Sequence, residues 1–288
     1  MSVTMLQREE RTATIAAASA GRELSAPRKR VRTSYKMASR LLTILPPVLL
    51  GLVILGSWSF STSRSLVPAY ELPAPADVWS ALWDGLNQGL FQNMAWITIQ
   101  ESLGGFLLAM LLALPLGYSL TKWRLFAATV QPYLAAGQAI PAIVIAPFLV
   151  FWMGYGLGPI MVLCFLVVFF PMVVTTALGF STIDASLREA ANVEGASFWP
   201  LLVHVELPLS LPAIMAAIRT GLTLSIVGAL VGEFVMNADR GLGALVQIAK
   251  NQYDVSLMFA TIIILAVMAA IFYGLAWGLT RLSETISM

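Results

Sequence analysis

Three ionisable side chains, Glu101, Arg219 and Glu233, stand inside long apolar stretches of this 288-residue chain. A charge at the middle of a bilayer costs roughly 2.5–3.5 kcal/mol on insertion scales, so each needs a partner, an aqueous cavity or a way to the interface. Arg219 falls near one end of its stretch, where a long side chain reaches the headgroups. Glu101 and Glu233 are candidate groups of a translocation path, polar lining for a vestibule or gate. The competing role is structural, with the carboxylates satisfied by backbone groups or by hydroxyls such as Ser102, Thr223 or Ser225. A proton relay would need a ladder of such groups, and two do not make one.

Chemistry of other kinds finds no residues to carry it. There is no G-x-x-x-x-G-K-[ST] phosphate loop, so if ATP drives this chain a separate subunit supplies the site. His204 is the sole histidine and Cys164 the sole cysteine, which excludes an internal disulfide and a Cys/His metal cluster. His204 reads as a packing or contact residue, and Cys164 as a small apolar one. Gly154-Tyr-Gly-Leu-Gly-Pro159 has the glycines of a phosphate-binding turn, but no strand precedes it and no Lys or Arg lies within it. With no Ser/His/Asp, paired-Asp or metal arrangement, the chain reads as a non-enzyme with no cofactor of its own.

The elements that must position these residues are membrane helices. Hydrophobic residues make up 58% of the chain and charged residues 11%, less than half the usual globular share. Apolar runs of eighteen or more residues recur, each long enough to cross a hydrocarbon core of about 30 Å. The fold class is an all-α polytopic membrane protein with about six transmembrane helices, in one domain over residues 41–282. The spans fall at about residues 41–60, 94–120, 125–153, 159–180, 213–236 and 255–279.

Prolines mark where these helices bend. Pro46-Pro47 kinks the first span or forms its first turn. Pro132, Pro141 and Pro147 bend or interrupt the third, which must pack inside the bundle so that neighbours satisfy the freed carbonyls. Between the first two spans, Pro75-Ala76-Asp77 opens a short helix with Val78, Trp79, Leu82, Trp83 and Leu86 on one face, suited to the membrane surface. Residues 238–252 can form a partly embedded helix. Gly104-Gly105, Gly117, Gly221, Gly228 and Gly232 stand where helices would meet, the last two as a G-x-x-x-G that permits close packing.

Nine of the 17 Lys and Arg precede Leu41, in a Ser-, Ala- and Arg-rich segment read as a mobile cytoplasmic tail over residues 1–40 with no cleaved signal peptide. Such a tail ahead of a span is a topology signal or an anionic-lipid contact, not a nucleic-acid site. With both termini inside, the inner segments hold 13 basic residues and the outer loops three, Arg64, Arg240 and Lys250. This positive-inside asymmetry puts the N-terminus, the 283–288 tail and the polar segment 187–212 in the cytoplasm of a cell-membrane protein.

That polar segment, LREAANVEGASFWPLLVHVELPLSLP, is too long for a simple chain reversal. It reads as two short helices joined near Gly195, whose tolerance of positive φ ends the first. Pro208 and Pro212 are expected to end the second. Ala190 and Ala191 leave one face small enough for another protein to approach.

The pattern Glu189-Ala190-Ala191, three residues, Gly195, nine residues, Val205-Glu206-Leu207-Pro208 resembles the coupling loop of binding-protein-dependent ABC importer permeases, with Val205 in the usual isoleucine place. Thr98-Ile-Gln-Glu-Ser-Leu-Gly-Gly-Phe106, Gln138-Ala-Ile-Pro141, Phe169-Phe-Pro171, Val231-Gly-Glu-Phe234 and Arg240-Gly-Leu-Gly243 extend the resemblance over about residues 40–282, to the nitrate/sulfonate/taurine importer permeases. It implies a type I importer architecture: two permeases, here a homodimer, two ATPase subunits that bind the ATP, and an extracytoplasmic solute-binding protein. It also implies that Glu189, Ala190, Ala191, Gly195, Leu207 and Pro208 couple the permease to the ATPase, driving alternating access.

Within that family, many nitrate and sulfonate permeases carry a basic residue around the position of Glu101. An acidic one in Thr-Ile-Gln-Glu is similar to the branch that carries heterocyclic vitamins and precursors, and an acidic vestibule suits an anion poorly. The resemblance therefore implies riboflavin or thiamine pyrimidine as substrate, with nitrate, sulfonate or taurine as the alternative. An ATP-independent secondary transporter or channel, or a non-transporting scaffold, are readings of other classes. Copurification of an ATPase discriminates the importer from them.

Overall fold

Apolar runs punctuated by glycine, proline and short polar segments fold into a succession of helices in the computed structural model, which describes residues 33–286. Among the described residues there is no strand. The helices are α1 (Thr33–Ser63), α2 (Pro75–Asn87), α3 (Leu90–Lys122), α4 (Arg124–Ala139), α5 (Ala142–Met153), α6 (Leu157–Ser181), α7 (Ala185–Val193), α8 (Phe198–Leu201), α9 (Leu207–Val235), α10 (Leu242–Asn251) and α11 (Val255–Ile286). Five are long and apolar enough to cross a membrane when α8 and α9 count as one, and six if α4 and α5 form one broken span.

The chain divides into two units, residues 1–60 and 61–288. The described part of the first is the body of α1. Pro46 and Pro47 lie inside that helix, and Leu50, Val53 and Ile54 are each more than half exposed, as on a lipid-facing surface. Helix α1 begins at Thr33, so the described part of the expected tail is helical; the rest of that tail lies outside the described residues.

The core of the second unit is a three-helix packing in which α3 and α6 run parallel and α9 runs antiparallel to both. Glycine sets their spacing. A Cβ on Gly105 would stand 2.3 Å from Cys164 Cβ and 2.6 Å from the Met161 carbonyl, and one on Gly117 would stand 2.7 Å from Thr176 Cβ. On α9, Gly228 meets Cys164 and Gly232 meets Ile160. The G-x-x-x-G pair thus serves packing within the chain, onto α6. Backbones this close gain dispersion contacts that larger residues would prevent.

The proline-bearing third span is broken as expected. Helix α4 ends at Ala139, Ile140 and Pro141 are extended, and α5 leaves at 93° to α4. Pro141 has no N–H with which to continue α4 and biases Ile140 away from the helical region. Helix α2 also forms where expected, but its apolar face divides: Val78 and Gly85 are buried while Trp79 and Trp83 are exposed. Val78, Leu82 and Gly85 repeat at helical spacing toward the protein, leaving the indoles for the interface.

The expectation that Pro208 and Pro212 end the second short helix is overturned. The chain stays helical from Phe198 to Val235, and Leu202–Glu206 form a π turn in which the Leu207 N–H donates to the Leu202 carbonyl. The extra residue in that turn widens the backbone just ahead of Pro208, where a regular helix would set the ring against the His204 carbonyl. The fifth span therefore starts well before residue 213.

Candidate functional site

At one end of the bundle, the loop end, the 187–212 segment is built by local rules. Asp184 caps α7, its carboxylate accepting from the Ser186 N–H at 3.0 Å. The helix closes with the Gly195 N–H on the Asn192 carbonyl and the Ala196 N–H on the Ala191 carbonyl, both 3.0 Å, while Gly195 takes φ +87°. That paired closure about a left-handed residue is the Schellman arrangement. Glu189 and Ala190 are exposed and Ala191 is half-buried; Leu207 and Pro208 are exposed on the next segment. Val193, Phe198, Trp199 and Val203 are exposed nearby. The predicted coupling residues thus lie together on a partly apolar surface made of α7 and the start of the long helix. Exposed apolar surface of this kind marks a contact with a protein or with the membrane.

Beneath this surface lies a group that motif reading passed over. Glu206, in the π turn, is fully buried. Its Oε1 lies 2.7 Å from Lys122 Nζ and 2.9 Å from Arg188 Nε, the latter an ion pair without the alignment of a hydrogen bond. Its Oε2 accepts from the Tyr118 hydroxyl at 2.9 Å. Arg188 reaches further, donating from Nη2 to the Phe180 carbonyl at 2.6 Å. The Tyr118 ring packs edge-on against Phe180 at 4.9 Å and Phe198 at 6.2 Å. One signal could have found this cluster: an isolated carboxylate in Val-Glu-Leu-Pro, between apolar neighbours, with Lys122 and Arg188 expected on the same side of the membrane.

At the far end, the three motif segments at 98–106, 231–234 and 240–243 meet around Glu233. The Thr98 hydroxyl donates to Glu233 Oε1 at 2.5 Å and accepts from the Leu242 N–H at 2.9 Å. The Gly243 N–H donates to Glu233 Oε2. Gly241, at φ +114°, leaves no room for a Cβ, which would stand 2.1 Å from Glu233 Oε1. Glu233 is fully buried and held by backbone amides and one hydroxyl. The hydroxyls expected to serve it do not: Ser102, Thr223 and Ser225 each donate to a carbonyl three or four residues back in their own helix. That is the ordinary local alternative for Ser and Thr in helices.

Glu101 differs. Its carboxyl adjoins that of Glu233, yet among the described residues its buried Oε2 has no hydrogen-bond partner, and the residue is 2% exposed. Glu101 lines a cavity of about 400 Å³ together with Gln100, Tyr155, Asn237, Asp239 and Arg240. Arg219, the third intramembrane ion, stands with its guanidinium 6.0 Å from the Tyr273 ring centroid. Its stacking is a cation–π contact. Among the described residues no cluster of His, Cys, Asp and Glu is arranged to hold a metal.

Five or six apolar helices, an exposed helix–glycine–helix surface at one end and a polar cavity at the other make a membrane transport subunit. Residues 105–281 match the family of binding-protein-dependent transport system inner membrane components, and the chain belongs to that family, the permease subunits of ABC importers. It is 40% identical over 238 residues to the riboflavin transport system permease protein RibX of Chloroflexus aurantiacus, covering 83% of this chain and 88% of that one. It is 30% identical over 224 residues to the formylaminopyrimidine transport permease protein ThiX of Halalkalibacterium halodurans, covering 78% and 88%. The putative aliphatic sulfonates transport permease protein SsuC of Bacillus subtilis is 28% identical over 220 residues, covering 76% and 79%. A chain of the MetNI methionine ABC transporter in an inward-facing conformation shares the fold, with a TM-score of 0.60 at 19% identity over 67% of this chain and 95% of that one.

Proposed function

We propose that this permease carries riboflavin or a related heterocycle, such as a thiamine pyrimidine, across the cell membrane as a homodimer. A solute-binding protein delivers the solute from outside. An ATPase subunit grips the 187–212 surface from the cytoplasm, where both chain termini also lie. Glu189, Ala190, Ala191, Gly195, Leu207 and Pro208 form that grip, and ATP-driven closure rocks the spans behind it.

The observation that carries the substrate reading is the 40% identity to a riboflavin permease across most of both chains. The cavity at Glu101 supports it. Gln100, Glu101, Asn237 and Asp239 offer acceptors to the N–H groups of a heterocycle, and Tyr155 offers a ring face. In this reading Glu101 touches the solute, and Glu233 shapes the path by fixing the 240–243 loop.

The test is thermal shift of the cognate binding protein against riboflavin, an aminopyrimidine, taurine and nitrate, followed by uptake of whichever ligand stabilises it. Riboflavin or the pyrimidine is expected to give the largest shift. A shift with taurine alone moves the reading to sulfonates, the activity named for the 28% relative.

A further inference from the structure

The cluster under the loop surface joins α7, none of whose residues is buried, to the packed spans behind it. Tyr118 and Lys122 belong to the last turns of α3, Arg188 to α7, and Glu206 to the turn that begins the long helix. Arg188 also donates to the carbonyl of Phe180, in the final turns of α6. One carboxylate therefore sits where four segments converge, with a hydroxyl and two cations as its partners. The side chains of Lys122 and Arg188 are 23% and 27% exposed, whereas that of Glu206 is wholly enclosed.

A buried carboxylate in such a place is expensive as a stabiliser. Desolvation offsets most of its attraction to the cations, and an apolar side chain of similar volume would hold the segments about as well. What the ion cluster provides is direction and distance: each contact fixes one oxygen to one atom, and a shift of α7 alone breaks both of Arg188's contacts, to Glu206 and to the Phe180 carbonyl. The surface above it is otherwise poorly anchored, since no residue of α7 is buried. Arg188 ties α7 to the spans through its pair with Glu206 and its hydrogen bond to the Phe180 carbonyl.

We infer that Glu206 is the positioning residue that makes α7 and the spans α3, α6 and α9 respond as one body when the loop surface is displaced. It acts through Lys122, Arg188 and Tyr118 and touches neither nucleotide nor solute. The inference rests on the reading of 187–212 as the ATPase contact.

The test uses the whole importer, with its ATPase and binding protein, in proteoliposomes, and reads two quantities that need no known solute. One is ATP hydrolysis. The other is the ATP-dependent change in labelling of Leu157→Cys, at the edge of the far cavity and 44% exposed, by a membrane-impermeant maleimide; Cys164 is buried, so the introduced thiol is the accessible one of this chain. Glu206→Gln is expected to retain at least half of the hydrolysis and to lose the labelling change at least fivefold, with Glu206→Asp restoring most of it. Undiminished labelling change in Glu206→Gln overturns the inference, as does parallel loss of hydrolysis and labelling that Glu206→Asp fails to separate. If Glu206→Gln does not assemble, Lys122→Gln carries the same test, because Arg188 still faces the carboxylate: a severalfold loss of labelling change per ATP supports the inference, and an unaltered ratio overturns it. A parent complex that hydrolyses ATP with no labelling change overturns the loop reading itself, and the inference with it.

Discussion

Thr98 Oγ1 lies 2.5 Å from Glu233 Oε1, joining α3 to α9 between residues 135 apart in sequence. The same oxygen accepts from the Leu242 N–H, so one hydroxyl holds both a carboxyl group and the start of α10. Valine has the shape of threonine without the hydroxyl. Thr98→Val leaves Glu233 and the Leu242 amide each short of a partner, and a buried polar group so orphaned costs about 1–3 kcal/mol. Detergent-solubilised Thr98→Val is expected to melt about 5 °C or more below the parent, with Thr98→Ser close to it. Equal melting of Thr98→Val and the parent would remove this bond from the account of the far end.

Two neighbouring glycines on α3 should respond unequally to alanine. A Cβ at Gly104 meets the Met161 methyl at 2.2 Å, the free end of a flexible side chain that can swing aside. At Gly105 it meets Cys164 Cβ, the Met161 carbonyl at 2.6 Å and the Phe165 amide nitrogen at 2.9 Å, none of which yields without moving α6. Gly105→Ala is expected to cost about 1–3 kcal/mol by overpacking and Gly104→Ala under 1. Thermal melts of the two variants check the order.

Gly241 and Gly154 both have positive φ, at +114° and +77°, but differ in what surrounds them. Nothing lies within 4 Å of a Cβ at Gly154, so alanine there meets backbone strain alone, about 1–3 kcal/mol at φ +77° and ψ −171°. At Gly241 the same change adds a collision with the Glu233 carboxyl. Gly241→Ala is expected to disrupt the 240–243 loop and abolish uptake, and Gly154→Ala to leave uptake within about twofold. Uptake per unit of inserted protein distinguishes them.

On the loop surface, Glu189→Ala removes an exposed charge that makes no side-chain bond among the described residues. Gly195→Leu forces a branched side chain into the left-handed region, straining the turn by about 1–2 kcal/mol and redirecting the exit from α7. Both variants are expected to insert normally and to lose uptake at least tenfold while ATP hydrolysis persists. Membrane fractionation and parallel uptake and hydrolysis measurements check this. Normal uptake in both would sink the proposed grip.

Legibility in the sequence followed the range of the forces involved. The helices, the break at Pro141 and the closure at Gly195 depend on residues within one or two turns of one another, and their signals lie in short windows. Proline misled at 208 because a π turn just ahead of it absorbs the missing donor, while Pro212 lies inside α9 without ending it. Glu101 and Glu233 stood out as ions in apolar surroundings, but their partners did not, since Thr98 and the Gly243 amide reach Glu233 only after three distant segments fold together. Glu206 escaped notice for a related reason. A carboxylate near a polar loop looks solvated until Lys122 and Arg188 are brought around it.

The parallel course of α3 and α6 separates the two carboxylate clusters by the length of a single rod. From Thr98 to Tyr118, both on α3, the rise along an unbroken helix is about 30 Å. A tilt of about 10° pivoting at the Tyr118 end would therefore carry the Thr98 end sideways by about 5 Å, roughly the rise of one helix turn. A hydrogen-bonded lock cannot stretch that far. Any such swing must either take α9 and α10 along as cargo or snap the lock open, so the stiffness of one rod decides whether the distant chamber is dragged or unlatched.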